Sequence, residues 1–269
     1  MNMPLKQQIK LPELICFRVT RNCNARCRFC LAPPEGDQPD EASLKHRIDW
    51  LLAHGVRTIH FCGGEPTIHP ALAELLMHVH THGGKNRLTT NAIAIPDRLL
   101  PVLRMTATEV KVSLHGDQDH HNAMVGVTAF KHTTRNIKRL LAAGVNTSIQ
   151  ATVVAEHSWV IDWLSKFCLE VGVRRLSILP FIPRGNGASC SDKFSLTPLQ
   201  RRNLRDQVKK KRHALNRRVD MRWLDFSARP IHVVEADGRL ILEAAMETMD
   251  EVLCQIPGSV TVHHEICVT

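Results

Sequence analysis

Along the first two-thirds of the chain, short β-branched apolar runs alternate with longer segments whose apolar residues recur every three or four positions. Leu14–Thr20, Arg57–Cys62, Arg87–Thr90, Glu109–His115, Thr147–Val154 and Arg175–Pro180 are rich in Val, Ile and Thr and read as strands. Between them, Ala42–His54 sets Leu44, Ile48, Leu51 and Leu52 on one helical face. Ala71–His82 stops at Gly83-Gly84, Phe130–Ala143 at Gly144 and Trp159–Val171 at Gly172, and Asp97–Leu103 is a short helix. Glycine directly after the last turn is a frequent helix stop. Six β-then-α units with nearly continuous apolar strands predict an α/β fold, a parallel sheet covered by helices. We read residues 1–190 as a partial (β/α)6 TIM-type barrel, with a doubly wound open sheet as the alternative. In both, the chemistry lies at the C-terminal ends of the strands.

Beyond residue 190 the pattern changes. Thr197-Pro198 opens a helix reaching about Leu215, with Leu204, Val208 and Leu215 on one face. Ile231–Glu235, the Asp237-Gly238 turn and Arg239–Leu242 read as a hairpin. Residues 191–269 are expected to form a small α+β extension packed on the barrel. The final stretch yields no element.

A 269-residue chain that is 43% hydrophobic and 23% charged is ordinary for a globular protein with one large core. It has no apolar run of about 18 residues, so no membrane helix is expected. Met1–Lys10 lacks the apolar segment of a signal peptide, which predicts a cytoplasmic protein. The net charge of +9 has mainly one source: nine Lys/Arg against the single acid Asp206 between Arg201 and Arg218. That predicts a local anion site, a docking face for an acidic flavodoxin, or one solvated helix, and not a nucleic-acid surface. The sixteen histidines show no H-x3-H pair with a nearby acid on a convincing helix and are read as surface and packing residues.

The nine cysteines are unevenly spread. Cys23, Cys27 and Cys30 fall within one polar loop with the spacing C-x3-C-x2-C. Thiolates this close can wrap one metal centre. Three ligands on a four-iron cubane leave one iron open. The competing reading is a structural zinc, which needs four ligands; Cys16 or Cys62 would supply the fourth.

With Phe29 before its last cysteine, this loop resembles the radical S-adenosylmethionine (SAM) signature. Gly63-Gly64-Glu65-Pro66 after the second strand resembles that family's GGEP motif. Within the superfamily the chain is most similar to the group of the GTP 3′,8-cyclase and the SPASM/twitch enzymes. The resemblance implies a [4Fe–4S] cluster on Cys23, Cys27 and Cys30 and SAM on its open iron. Reductive cleavage of SAM then gives a 5′-deoxyadenosyl radical that abstracts hydrogen from the substrate. Flavodoxin or ferredoxin is the implied electron donor. The SAM contacts it implies are Phe29 beside the adenine, Gly63 and Gly64 through their backbone, Glu65 at the SAM ammonium, Asn91 at the ribose and Ser113. Asn91 otherwise caps the next helix, and Ala92 stands where the family often has glycine. Arg184 is read as the partner of the SAM carboxylate or of a substrate anion, or else as a solvated loop arginine. His115, Gln150 and Thr152 are further candidates for the cavity wall.

The extension resembles a twitch domain without its cluster, because Leu240-Ile241-Leu242-Glu243 holds no cysteine where relatives carry one. Cys190, Cys254 and Cys267 are read as free thiols. The chain ends Ile266-Cys267-Val268-Thr269, without the Gly-Gly tail of the GTP cyclase. Only about a dozen residues precede the first strand, so no peptide-recognition domain is expected there. The substrate is therefore expected to be a small polar metabolite, with a nucleotide or sugar phosphate as a candidate. A radical SAM peptide or protein maturase and a non-catalytic zinc-binding protein remain the other readings.

Overall fold

The computed structural model describes residues 10–259 except Asp37, Glu156 and Ala228. Cys267 and the tail Ile266–Thr269, together with residues 1–9, lie outside the described residues. Strands β1 (Leu14–Thr20), β2 (Thr58–Gly63), β3 (Lys85–Thr90), β4 (Glu109–Ser113), β5 (Thr147–Val153) and β6 (Arg175–Pro180) alternate with helices. The helices are α1 (Glu41–Ala53), α2 (Leu72–Thr81), α3 (Leu99–Met105), the pair α4 (Gln118–Val125) and α5 (Phe130–Ala142), and α6 (Trp159–Val171). There follow α7 (Ser191–Phe194), α8 (Pro198–Ala214), β7 (Asp220–Trp223), β8 (Ile231–Val234), β9 (Arg239–Glu243) and β10 (Glu251–Gln255).

All ten strands share one sheet in the order β10-β9-β8-β1-β2-β3-β4-β5-β6-β7. Neighbours from β8 through β7 are parallel, and β9 and β10 add an antiparallel margin. Strands β1–β5 each have one apolar and one polar face, in place of the nearly continuous apolar runs expected, which favours the barrel over the doubly wound alternative. On β1, Ile15, Phe17 and Val19 are fully buried and join the helix residues Leu44, Ile48, Leu51, Leu75 and Leu76 in one core. Cys16, Arg18 and Thr20 point to the other side, toward the lumen. Phe17 and Phe61, in register on β1 and β2, meet edge to face at 6.1 Å, a geometry worth about 0.5–1.5 kcal/mol beyond area burial.

The expected helices form, most of them within a residue or two of their expected ends. Helix α8 opens with a full capping box between Thr197 and Gln200 and buries Leu204 and Val208, as its spacing predicts. Lys211 pairs with Asp162 at 2.6 Å and Arg201 with Asp225 at 2.7 Å, so the fold itself neutralises part of its basic surface. Three elements depart from the sequence reading. Helix α4 has no apolar stripe and is held instead by Asp117, whose side chain accepts from His120 N–H, and by its buried end Met124-Val125. Strand β7 pairs with β6 in parallel, which puts α8 in a sixth crossover. Strand β10 falls where no element was expected. The segment after residue 190 thus extends the barrel's own sheet at both edges.

Candidate active site

The loop from Arg21 to Pro39 joins β1 to α1 and has no regular structure. Neighbouring backbone fixes it from three sides. Gly64 N–H donates to Thr20 O and Glu65 N–H to Asn22 O, both at 2.8 Å. Arg26 N–H donates to Val125 O and Arg28 N–H to Met124 O, at 2.9 and 3.1 Å, at the end of α4. Asn186 N–H, from the loop after β6, donates to Cys30 O at 2.9 Å. Cys23, Cys27 and Cys30 then line one cavity of about 230 Å³ at the C-terminal ends of the strands. Cys62, Gly63, Gly64, Glu65, Thr89, Thr90, Asn91, Ser113, His115 and Asn186 complete its polar wall, and Phe29 and Val125 are part of its apolar one.

The two glycines also do a job in packing the loop. A Cβ on Gly63, whose φ is +138°, would lie 2.2 Å from Thr20 O, and one on Gly64 would lie 2.1 Å from Asn22 O. Both glycines let β2 abut the cysteine loop, while also facing the cavity. Glu65 is 1% exposed, and its carboxylate accepts four hydrogen bonds. Oε1 takes Thr67 N–H at 3.0 Å and the hydroxyls of Thr67 and Thr90 at 2.6 Å; Oε2 takes Asn91 N–H at 2.7 Å. With its oxygens so engaged, Glu65 ties β2 to β3. Burial raises its pKa against the pull of these donors.

Asn91 acts on the loop as well: Nδ2 donates to Asn24 Oδ1 at 2.8 Å and Oδ1 accepts from Ile93 N–H at 2.9 Å. Asn91 caps no helix, since α3 opens only at Leu99 after Arg98, and its Oδ1 bond closes a turn in the loop after β3. Ala92, replacing the family's usual glycine, adopts the left-handed φ of +53°. Ser113 lines the cavity and accepts from Gln150 Nε2 at 3.2 Å, which places Gln150 behind it. Phe29 packs against the edge of His115, ring centroids 4.7 Å apart. His115 is 3% exposed; its Nδ1 accepts from Thr152 N–H at 3.2 Å, which puts the ring proton on Nε2.

Arg184 is the clearest departure. Its guanidinium is bidentate on Asp250, at 2.6 and 2.9 Å, and lies 3.5 Å from Glu243, with a further bond to Ala244 O. It does not line the cavity. It is an ion-pair anchor for the C-terminal segment, because acids 59 and 66 residues downstream, Glu243 and Asp250, pair with it. Arg18 does the same between Glu235 and Glu243. Sequence spacing missed Thr89, Thr90 and Asn186; the first two precede Asn91 at the end of β3 and were readable there. Cys254 is buried in the main core, and neither it nor Cys190 lines the cavity, whereas Cys62 does.

Burial holds the three cysteine thiols protonated in the metal-free protein. It raises Cys23 to about 11 and Cys27 to about 12, with the other cysteines adding to Cys27, and raises Cys30 as well. Metal uptake therefore releases protons. Among the described residues, the one His/Cys/Asp/Glu triad whose ligand atoms lie within 4.8 Å of one another is Asp49, His78 and His82. The three cysteines do not converge as they would around a single zinc, where Zn–S bonds of about 2.3 Å put sulfurs roughly 3.8 Å apart. Their wider arc around a roomy cavity fits a four-iron cluster.

Comparison with known proteins agrees. The model of the radical SAM superfamily matches residues 17–159, more than half of the chain. The AdoMet-dependent heme synthase of Nitratidesulfovibrio vulgaris is 30% identical over 189 residues, covering 67% of this chain and 51% of that protein. The GTP 3′,8-cyclase of Chlorobaculum tepidum is 32% identical over 136 residues, covering 48% of this chain and 41% of its own. The chain thus spans about half the length of such relatives, or less. Streptococcus suis SuiB, in its crystal structure with precursor peptide SuiA, superposes with a TM-score of 0.74 at 17% identity, over 86% of this chain and 59% of its own. This likeness is one of fold. With a [4Fe–4S] cluster and SAM as its cofactors, the chain is an enzyme that belongs to the radical SAM superfamily.

Proposed function

We propose that Cys23, Cys27 and Cys30 carry the [4Fe–4S] cluster, that SAM occupies the cavity beside Phe29, Gly63, Gly64, Asn91 and Ser113, and that the substrate is a small polar metabolite with an anionic group, drawn into the barrel lumen. The cluster and SAM, when bound, supply the electron and the hydrogen-abstracting group. The protein supplies placement. Glu65 and Asn91 hold the ends of β2 and β3 against the cysteine loop. Phe29 and His115 form a wall that keeps water off the cavity.

The observation that carries the substrate class is Lys111. It shares the lumen face of β4 with Ser113, two residues from the cavity wall. Burial lowers its pKa, and among the described residues it makes no ion pair. A half-buried ammonium facing a polar lumen favours an anion such as a carboxylate or phosphate. The names of the heme synthase and the GTP cyclase, both makers or users of small metabolites, point the same way. The maturase reading has its own support in the mycofactocin maturase MftC of Mycobacterium ulcerans, 27% identical over 201 residues.

The test is anaerobic reconstitution with iron and sulfide, then dithionite and SAM, with 5′-deoxyadenosine quantified beside Cys27→Ala. Formation in the wild type alone supports the cofactor assignment; a colourless protein that leaves SAM intact sinks it. Anionic metabolites are then screened for faster deoxyadenosine release, an effect expected to weaken in Lys111→Met. Stimulation by peptides only would overturn the small-substrate reading.

A further inference from the structure

The acid that the histidine pattern lacked arrives from another helix. His78 and His82 stand one turn apart at the C-terminal end of α2, and Asp49 comes from the end of α1, 29 residues before His78. His78 Nε2 lies 2.6 Å from Asp49 Oδ1, and the two imidazole rings lie 4.3 Å apart. One ligand atom from each of the three side chains falls within 4.8 Å of the other two. Asp49 and His82 are exposed and His78 is half-buried, so an ion reaches them directly from solvent.

We propose that Asp49, His78 and His82 form a binding site for a divalent transition ion of the zinc type, separate from the cysteine loop. Two imidazoles and a carboxylate are ligands that zinc accepts readily, and three protein ligands leave one position to water. The i, i+4 spacing puts both histidines on one helical face. His82 Nδ1 lies 2.8 Å from the carbonyl oxygen of His78, to which it donates. That bond leaves Nε2 as the free lone pair and fixes the ring, as backbone carbonyls do behind metal-bound histidines. The proton between His78 and Asp49 is the one the ion replaces. Both helices also end here, and the partial negative charge of a helix C-terminus favours a cation.

The site links α1 to α2, and none of its three residues lines the cavity of Cys23, Cys27 and Cys30. It bears on how metal analyses are read: zinc bound here says nothing about the cysteines, and Cys27→Ala would not remove it.

The experiment is calorimetric titration of Zn²⁺ into the metal-free protein and into the Cys23→Ala/Cys27→Ala/Cys30→Ala variant. One equivalent should bind to the triple variant. It should vanish in that background with His78→Ala or His82→Gln added, and weaken about tenfold or more with Asp49→Asn. Circular dichroism confirms that each variant is folded; His82, being exposed, is the safest to change. No zinc uptake by the triple-cysteine variant, or an equivalent that survives loss of both histidines, overturns the proposal.

Discussion

Glu65 separates a residue that holds the frame of the site from one that touches the cofactor. Its two carboxylate oxygens accept four hydrogen bonds within the protein, two from backbone N–H groups and two from threonine hydroxyls. In Glu65→Gln the amide keeps the shape but presents a donor where one oxygen was. Turned to do least harm, its nitrogen faces Asn91 N–H, and one buried backbone donor is left unpaired at about 1–3 kcal/mol. The three remaining bonds lose their charge assistance, roughly another 1 kcal/mol each. Removal of a buried charge offsets part of this, since burial already pushes the Glu65 pKa up. The net destabilisation is about 2–4 kcal/mol, or roughly 5–15 °C in Tm for a chain of this size. The assay is differential scanning calorimetry on metal-free protein with no SAM present, followed by SAM affinity in the cluster-loaded protein. A contact to SAM alone would leave the first measurement untouched. If Glu65→Gln melts with the wild type and only SAM affinity falls, the carboxylate serves the cofactor and the frame argument is wrong.

Two other outcomes follow from buried charge. Arg184→Met strands Asp250, while Glu243 keeps Arg18, and should cost about 3–5 kcal/mol in chemical denaturation while leaving SAM affinity within about twofold. Lower SAM affinity at unchanged stability would return Arg184 to the cavity. Burial, then the neighbouring His120, lowers His121 to about 4 in a site where Nδ1 faces His115 N–H and Nε2 is enclosed without a partner. Because that value lies below the ordinary ~6.5, the unfolded chain binds the extra proton first, so stability is full above about pH 6.5 and falls as pH drops toward 4. The loss reaches about 3 kcal/mol at the lower end, read from urea midpoints, and should flatten in His121→Gln; an unchanged slope in that variant refutes the assignment.

The βα alternation was legible because β1–β5 each have one apolar face and most of the helices one apolar stripe, and both periods survive in the sequence. The cysteine spacing and Gly63-Gly64 were legible as motifs. What these glycines touch was not, since nothing in a run of two glycines names Thr20 or Asn22 as the neighbour. Helix α4 escaped because local caps and the Met124-Val125 end hold it, and no stripe marks it. Strands β7 and β10 are four and five residues long and depend on strands formed by distant segments. The metal-ligand triad was hidden for the same reason: two of its members are close in sequence, and the third is brought by the packing of α1 on α2.

Backbone contact explains why the cysteine loop can be irregular and still hold three thiols in place. Four glycines from three separate loops press on it. A Cβ on Gly63, Gly64, Gly126 or Gly185 would lie 2.2, 2.1, 2.4 or 2.4 Å from the carbonyl oxygen of Thr20, Asn22, Arg26 or Cys30 respectively. The loop is thus gripped near its start, its middle and its last cysteine by segments after β2, α4 and β6. The grip on Cys30 comes from Gly185 and Asn186, and Arg184, next to them, is moored to Asp250 and Glu243 on the last strands. A chain cut before residue 184 would keep Cys23, Cys27, Cys30 and the Gly-Gly-Glu-Pro turn, yet lose the contact that fixes Cys30. The C-terminal segment, without a cysteine in the cavity, therefore belongs to the site through the backbone it immobilises.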